Sequence, residues 1–263
     1  MSLKYDFIKD QINLYLQNGI NLIFPLLVIF YIIPIVGEKN FGIILYYQAI
    51  TSFITILIDL GFDILGIQLI SRFSSEYLST KILVNSIIMK LFLMIIFTLI
   101  VMIFIPFNLM LIYSLWIPLF AIFIPQWYFI GVKSLFNLSL LTFLHKALIA
   151  ILLLIFINNK EEYETIPLIF LISTLIVIAY TLLKKIYSFR LKYFSVKLIF
   201  FTTRYMFKTF SSTLFFLSLK SFPKIILGKM GFFEMVTFFD LGEKLSKLMK
   251  IPNLITTRLL IQK

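Results

Sequence analysis

The stretch Ile82–Ile105, ILVNSIIMKLFLMIIFTLIVMIFI, has one charged side chain, Lys90, in a run long enough to cross a bilayer. About 20 apolar residues in a helix span the hydrocarbon core. The run is continuous rather than alternating, which selects a helix over a barrel strand. Comparable runs recur at 12–34, 42–66, 109–131, 138–157, 166–183 and 206–227, with a weaker one at 232–251. The chain therefore reads as an all-α, polytopic membrane helix bundle of seven or eight spans. Over its 263 residues the hydrophobic fraction is 61% and the charged fraction 14%, well outside the range of soluble globular domains.

The distribution of charge orients the bundle. Lys and Arg accumulate in loops on the cytoplasmic side. With the N-terminus cytoplasmic, that side receives Lys4, Lys9, Arg72, Lys81, Lys133, Lys184, Lys185, Arg190, Lys192, Lys197 and Arg204. The opposite loops receive Lys39, Lys160 and Lys229 beside Glu38, Glu161, Glu162 and Glu164. A net charge of +12 is thus a topological signal, and no domain is present to bind nucleic acid. The first run lacks a convincing cleavage site at Ile35-Val36-Gly37-Glu38 and reads as an uncleaved first helix. The absence of Cys removes disulfides and thiolate metal sites, and no cofactor is implied.

Most connections are short, so sequential helices pack as antiparallel neighbours. The exception runs from Lys184 to Lys208, where seven cations and no acid alternate with Tyr187, Phe189, Tyr193, Phe194, Phe200 and Phe201. This pattern suits an amphipathic segment on anionic membrane lipids, and a plain topology-setting loop would explain its charge equally well. It divides the chain into a six-helix bundle (1–183), a basic cytoplasmic or interfacial linker (184–205) and the start of a second bundle (206–263).

Ionisable groups inside a span face a cavity or a partner more often than lipid. Asp59 and Asp63, four residues apart, fall on one face if the second helix is continuous; a helix ending near Gly61 would instead leave Asp63 in the interface. Lys90, Lys146 and the single histidine, His145, lie about two turns into their helices, within snorkelling reach of the headgroups. Lys220 sits deeper, with Lys224 one turn later. Asn13, Gln17, Asn18 and Asn21 form a polar stripe on the first helix. Convergent lysines would make a cationic chamber suited to a pyrophosphate, and Asp59 or His145 could carry a proton or ion. Pro25, Pro118, Pro125 and Pro223 fall within spans and would kink them. No Walker-type phosphate loop is present, since Gly228-Lys229 is followed by Met230. No metal-ligand cluster or nucleophilic triad stands out, so the reading is not that of an enzyme.

Several segments resemble the Wzx-type polysaccharide flippases of the multidrug/oligosaccharidyl-lipid/polysaccharide exporter superfamily. They are Gln17-Asn18-Gly19 leading to Phe24-Pro25-Leu26, Val36 to Gly42, Asp59-Leu60-Gly61-Phe62-Asp63 running to Ser71-Arg72, and Pro125-Gln126-Trp127-Tyr128-Phe129-Ile130-Gly131. The last is similar to the family's P-x-W-[FY]-x-x-G pattern, and Ile226 to Lys244 looks like its seventh-to-eighth helix region. The resemblance implies a flippase moving undecaprenyl-pyrophosphate-linked oligosaccharide across the bacterial cytoplasmic membrane for O-antigen or capsule assembly. It further implies alternating access between two six-helix halves, and partnership with other polysaccharide-assembly membrane proteins. Asp59, Asp63, Lys90, Lys146 and Lys220 become the implied cavity residues. Family members have about twelve or more helices, so the expectation is a C-terminally truncated product, inactive alone or dependent on a partner.

Two other readings compete. A membrane-embedded prenyltransferase would use Asp59-x-x-x-Asp63 to hold Mg²⁺, but needs a second acidic cluster, and Asp240 reads as alone. A polymerase needs a larger exterior loop than Asn158–Thr165. A non-functional membrane remnant is the remaining alternative.

Overall fold

The computed structural model describes the backbone of residues 2–72 and 75–249, with the side chains of Gln17 and of residues from Gly19 onward except 208, 209, 213, 216, 248 and 249. Asn13, Asn18, Lys4 and Lys9 therefore lie outside the described side chains, as do the last residues of the 232–251 run and of the second bundle.

The chain begins with α1 (Ser2–Val36) and α2 (Glu38–Asp59), followed by α3 (Phe62–Ser71) and α4 (Glu76–Phe104). Three short helices come next: α5 (Leu109–Leu115), α6 (Leu119–Phe123) and α7 (Gln126–Gly131). Then come α8 (Leu135–Phe156), a 3-10 turn at Lys160–Thr165, α9 (Ile166–Leu183), α10 (Val196–Lys229) and α11 (Phe233–Met249). No strand occurs among the described residues. Seven segments are long and apolar enough to cross a bilayer: 19–36, 38–71, 76–104, 109–131, 135–156, 160–183 and 210–229. The chain is a multi-pass, all-α membrane protein.

Two spans are not continuous. The fourth is split into α5, α6 and α7 at Pro118 and Pro125, where the ring removes a backbone donor. α1 and α10 run unbroken through Pro25, Pro34 and Pro223. The second span breaks between Asp59 and Phe62. There Leu60 (φ 51°) and Gly61 (φ 87°) both adopt the left-handed conformation. Glycine accepts this freely; leucine pays for it in Cβ crowding. A membrane helix can be interrupted only where protein or a polar cavity satisfies the freed backbone, so this break marks a place to look for function.

α1 packs on α8, α3 on α7, and α8 on α9, while α2 is flanked by both α10 and α11. Lipid tails give no hydrophobic drive for such pairing, so close packing must supply it. At the Glu38 end of α2 the approach is very close. A Cβ added to Gly42 would fall 1.9 Å from the Phe233 carbonyl oxygen, and one on Gly228 would fall 2.1 Å from the Tyr46 ring. Thr237 Oγ1 donates to the Glu38 carbonyl at 2.8 Å in the same region. This packing forms a seal between α2, α10 and α11 at that end. A buried apolar cluster including Ile29, Ile32, Val36, Phe41, Ile44 and Val236 lies beneath the seal.

The linker between α9 and α10 is tied down rather than loose. Asn85 of α4, 1% exposed, donates through Nδ2 to the carbonyls of Lys81 and Tyr193 and accepts the Ser195 amide at 2.8 Å. Tyr187 is buried and donates its hydroxyl to the Phe123 carbonyl at 2.8 Å. No separate interfacial helix forms among the described linker residues: a 3-10 turn, Leu191–Tyr193, leads into α10 at Val196.

Candidate functional site

Below the seal lies a cavity of about 510 Å³ between α1, α2, α8, α9, α10 and α11. Its composition changes along α2. Phe41, Ile44 and Leu45 line the sealed end, Gln48 and Ser52 the middle, and Thr55 and Asp59 the far end. Gln48, Ser52, Thr55 and Asp59 recur at three- and four-residue spacing, so one helix face presents them all. Asp63, just past the break, continues the lining. Opposite, α10 contributes Leu217, Lys220, Ser221 and Lys224, and α11 contributes Asp240, Glu243, Lys244 and Lys247. α1 adds Phe24, Pro25, Val28 and Ile32, and α8 adds Lys146.

Asp59 and Asp63 do not share one continuous helix face, because the break falls between them. Asp59 instead stabilises the break. Its Oδ2 accepts the Asp63 amide at 3.0 Å, satisfying a free donor at the start of α3. Its Oδ1 accepts from Lys90 Nζ at 2.6 Å. Lys90 is 3% exposed, and its ammonium stands 4.9 Å from the Phe62 ring centre and 5.8 Å from that of Trp127. A buried ammonium needs a carboxylate, and aromatic faces add a weaker attraction. Lys90 thus reaches the cavity only through Asp59. Trp127, from the Pro-x-Trp pattern, is 1% exposed and packs on Phe62 with ring centres 5.1 Å apart.

Lys146 and Lys220 both line the cavity, as does Asp63. Lys146 is half-buried with its ammonium 4.9 Å from the centre of the Phe24 ring. Among the described residues, neither lysine has a carboxylate within ion-pairing distance. His145, the neighbour of Lys146, faces elsewhere. It is buried, stacked on Phe120 with ring centres 4.1 Å apart, and its Nε2 lies 3.1 Å from Thr174 Oγ1. It does not line the cavity. Of the polar stripe on α1, Gln17 is buried and Asn21 half-buried, and neither borders the cavity.

A second charged group was not anticipated. Lys224 pairs with Asp240 at 2.5 Å and with Glu243 at 2.9 Å. Lys244 pairs with Asp240 at 2.6 Å, and Lys247 with Glu243 at 2.7 Å. Asp240 is therefore not alone: it stands with Glu243 one turn away and two lysines around it. The i, i+4 spacing of Asp240 with Lys244 and of Glu243 with Lys247 was the available signal. Among the described residues the cavity wall consequently carries five lysines and four carboxylates, not the simply cationic lining expected. Once these pairs and Asp59–Lys90 are formed, Lys146, Lys220 and Asp63 are the lining charges without an ion-pair partner among the described residues. Among those residues no group of three or more His, Asp or Glu is arranged to hold a metal.

The described residues thus form a helical, multi-pass membrane bundle with a broken span and an internal charged cavity. A family model described as "Polysaccharide biosynthesis protein" matches residues 7–258, and the chain belongs to that family. Its role accordingly lies in polysaccharide biosynthesis or export. Among curated proteins and among solved structures, nothing matches the chain.

Proposed function

We propose that this protein moves undecaprenyl-pyrophosphate-linked oligosaccharide across the bacterial cytoplasmic membrane, with its N-terminus on the cytoplasmic side. The observation that carries the reading is the placement of Lys146 and Lys220, neither paired with a carboxylate among the described residues, on one cavity of about 510 Å³. Lys146 is half-buried and Lys220 exposed, and two ammonium groups on one wall attract a diphosphate. The stripe of Gln48, Ser52 and Thr55 offers donors and acceptors for sugar hydroxyls, and Phe24 and Phe170 offer apolar faces. The loop asymmetry of Lys and Arg supports the orientation.

Complementation tests this. In a bacterium lacking its own flippase, the chain should restore surface polysaccharide, and Lys146→Glu with Lys220→Glu should abolish the effect at equal protein level. Full restoration by the doubly reversed variant would sink the reading.

A further inference from the structure

Residues 184–207, the described part of the basic segment, form an aromatic and basic shelf, and we infer that it binds the anionic phospholipid surface on the Arg72, Lys81 and Lys133 side of the bundle. α10 has 34 residues, but only 210–229 form its apolar span. At 1.5 Å per residue it is about 50 Å long, against a hydrocarbon core of about 30 Å. Residues 196–209 therefore extend the helix ahead of that window, running beside the first half of α4. This extension has two faces. Leu198, Ile199, Thr202, Thr203 and Met206 turn inward, with Thr203 Oγ1 2.9 Å from Met89 Sδ on α4. Val196, Lys197, Phe200, Phe201, Arg204 and Phe207 turn outward at helical spacing, Phe200 being 69% and Phe201 60% exposed.

The residues leading into α10 continue the pattern. Leu191 and Phe194 are exposed beside the exposed Lys184, Lys185, Arg190 and Lys192. A loop that only sets topology needs charge, but it needs neither exposed aromatics nor a fixed backbone. Here the backbone is held by Asn85 and Tyr187, and apolar rings stand between cations along the same surface. Cations for phosphate headgroups and rings for the acyl boundary are what an anionic lipid surface accommodates. Positive charge without an acid from Lys184 to Lys208 supplies the charge complementarity.

The test uses the full chain in a zwitterionic detergent, titrated with phosphatidylglycerol or phosphatidylcholine while thermal unfolding is followed. Phosphatidylglycerol should raise the midpoint and phosphatidylcholine should not. In Lys192→Gln/Lys197→Gln/Arg204→Gln the half-saturating phosphatidylglycerol concentration should rise by on the order of fivefold per removed cation. Lys192→Arg/Lys197→Arg should bind as the parent does, which separates lost charge from a folding defect. Phe200→Ser/Phe201→Ser should weaken the lipid effect even in high salt, where charge is screened. Equal stabilisation by both lipids, or no change in the Gln variant, overturns the inference. So does matching stabilisation by free glycerol phosphate or by a single-stranded oligonucleotide.

Discussion

Lys90 Nζ and Asp59 Oδ1, 31 residues apart in sequence, lie 2.6 Å from each other at the point where the second span breaks. The pair joins α4 to the end of α2, and the second oxygen of Asp59 holds the first turn of α3. Removing one partner of a buried ion pair leaves an uncompensated charge, which costs about 3–5 kcal/mol, whereas replacing both with apolar groups is far milder. Asp59→Leu should therefore unfold well before the parent, because Lys90 is almost wholly enclosed. Asp59→Leu/Lys90→Met should recover much of the loss. Thermal unfolding of the four proteins in detergent measures the coupling, and additive single effects would remove the pair from its structural role.

The contact between Gly228 and Tyr46 can be checked in the same manner. A Cβ at position 228 would lie 2.1 Å from the Tyr46 ring, so Gly228→Ala must push α10 away from α2. Overpacking of this kind costs about 1–3 kcal/mol. Tyr46→Ala should relieve part of it, giving a favourable interaction in the double variant. Gly42→Ala should be worse, since its obstruction is the backbone carbonyl of Phe233, which no rotamer change can remove. Unfolding midpoints and crosslinking yield between cysteines introduced at the Glu38 end would report both.

Much of this was legible in the sequence, for a physical reason. A bilayer demands long apolar helices, so the positions of the spans and their loop charges could be read directly. Four of the marked residues, Asp59, Asp63, Lys146 and Lys220, do border one cavity. A helix end near Gly61 was one of two open readings, and the left-handed leucine beside it carries no local signature that would have decided between them. The partner of Lys90 could not be read either, since the pairing is made by the fold and not by spacing. The ion lattice on α11 was within reach, but Asp240 read as alone because Lys224 meets it only through the packing of α10 on α11.

His145 and Lys146 are adjacent yet face different surroundings, and their variants should separate accordingly. Lys146→Glu should eliminate complementation in a flippase-deficient strain while Lys146→Arg retains most of it, because a diphosphate asks for positive charge at that wall. His145→Phe keeps the stack on Phe120 and loses only the contact to Thr174, so surface polysaccharide should stay within about twofold of the parent. Loss of function in His145→Phe at normal protein level would place the imidazole in the transport step.

The Asn85 clamp offers the most local measurement. Its amide donates to the Tyr193 carbonyl and accepts from the Ser195 amide, so Asn85→Leu strands partly buried backbone groups on both sides of residue 194. Each unsatisfied buried group costs about 1–3 kcal/mol, and water at the headgroup boundary can recover part of that. The expected result is a loss of about 2–3 kcal/mol in stability, concentrated in the linker. Hydrogen exchange should show the Ser195 amide losing protection while amides in the middle of α4 keep theirs. If both sets exchange alike, the linker is not anchored through Asn85 and the shelf it supports would have no fixed backbone.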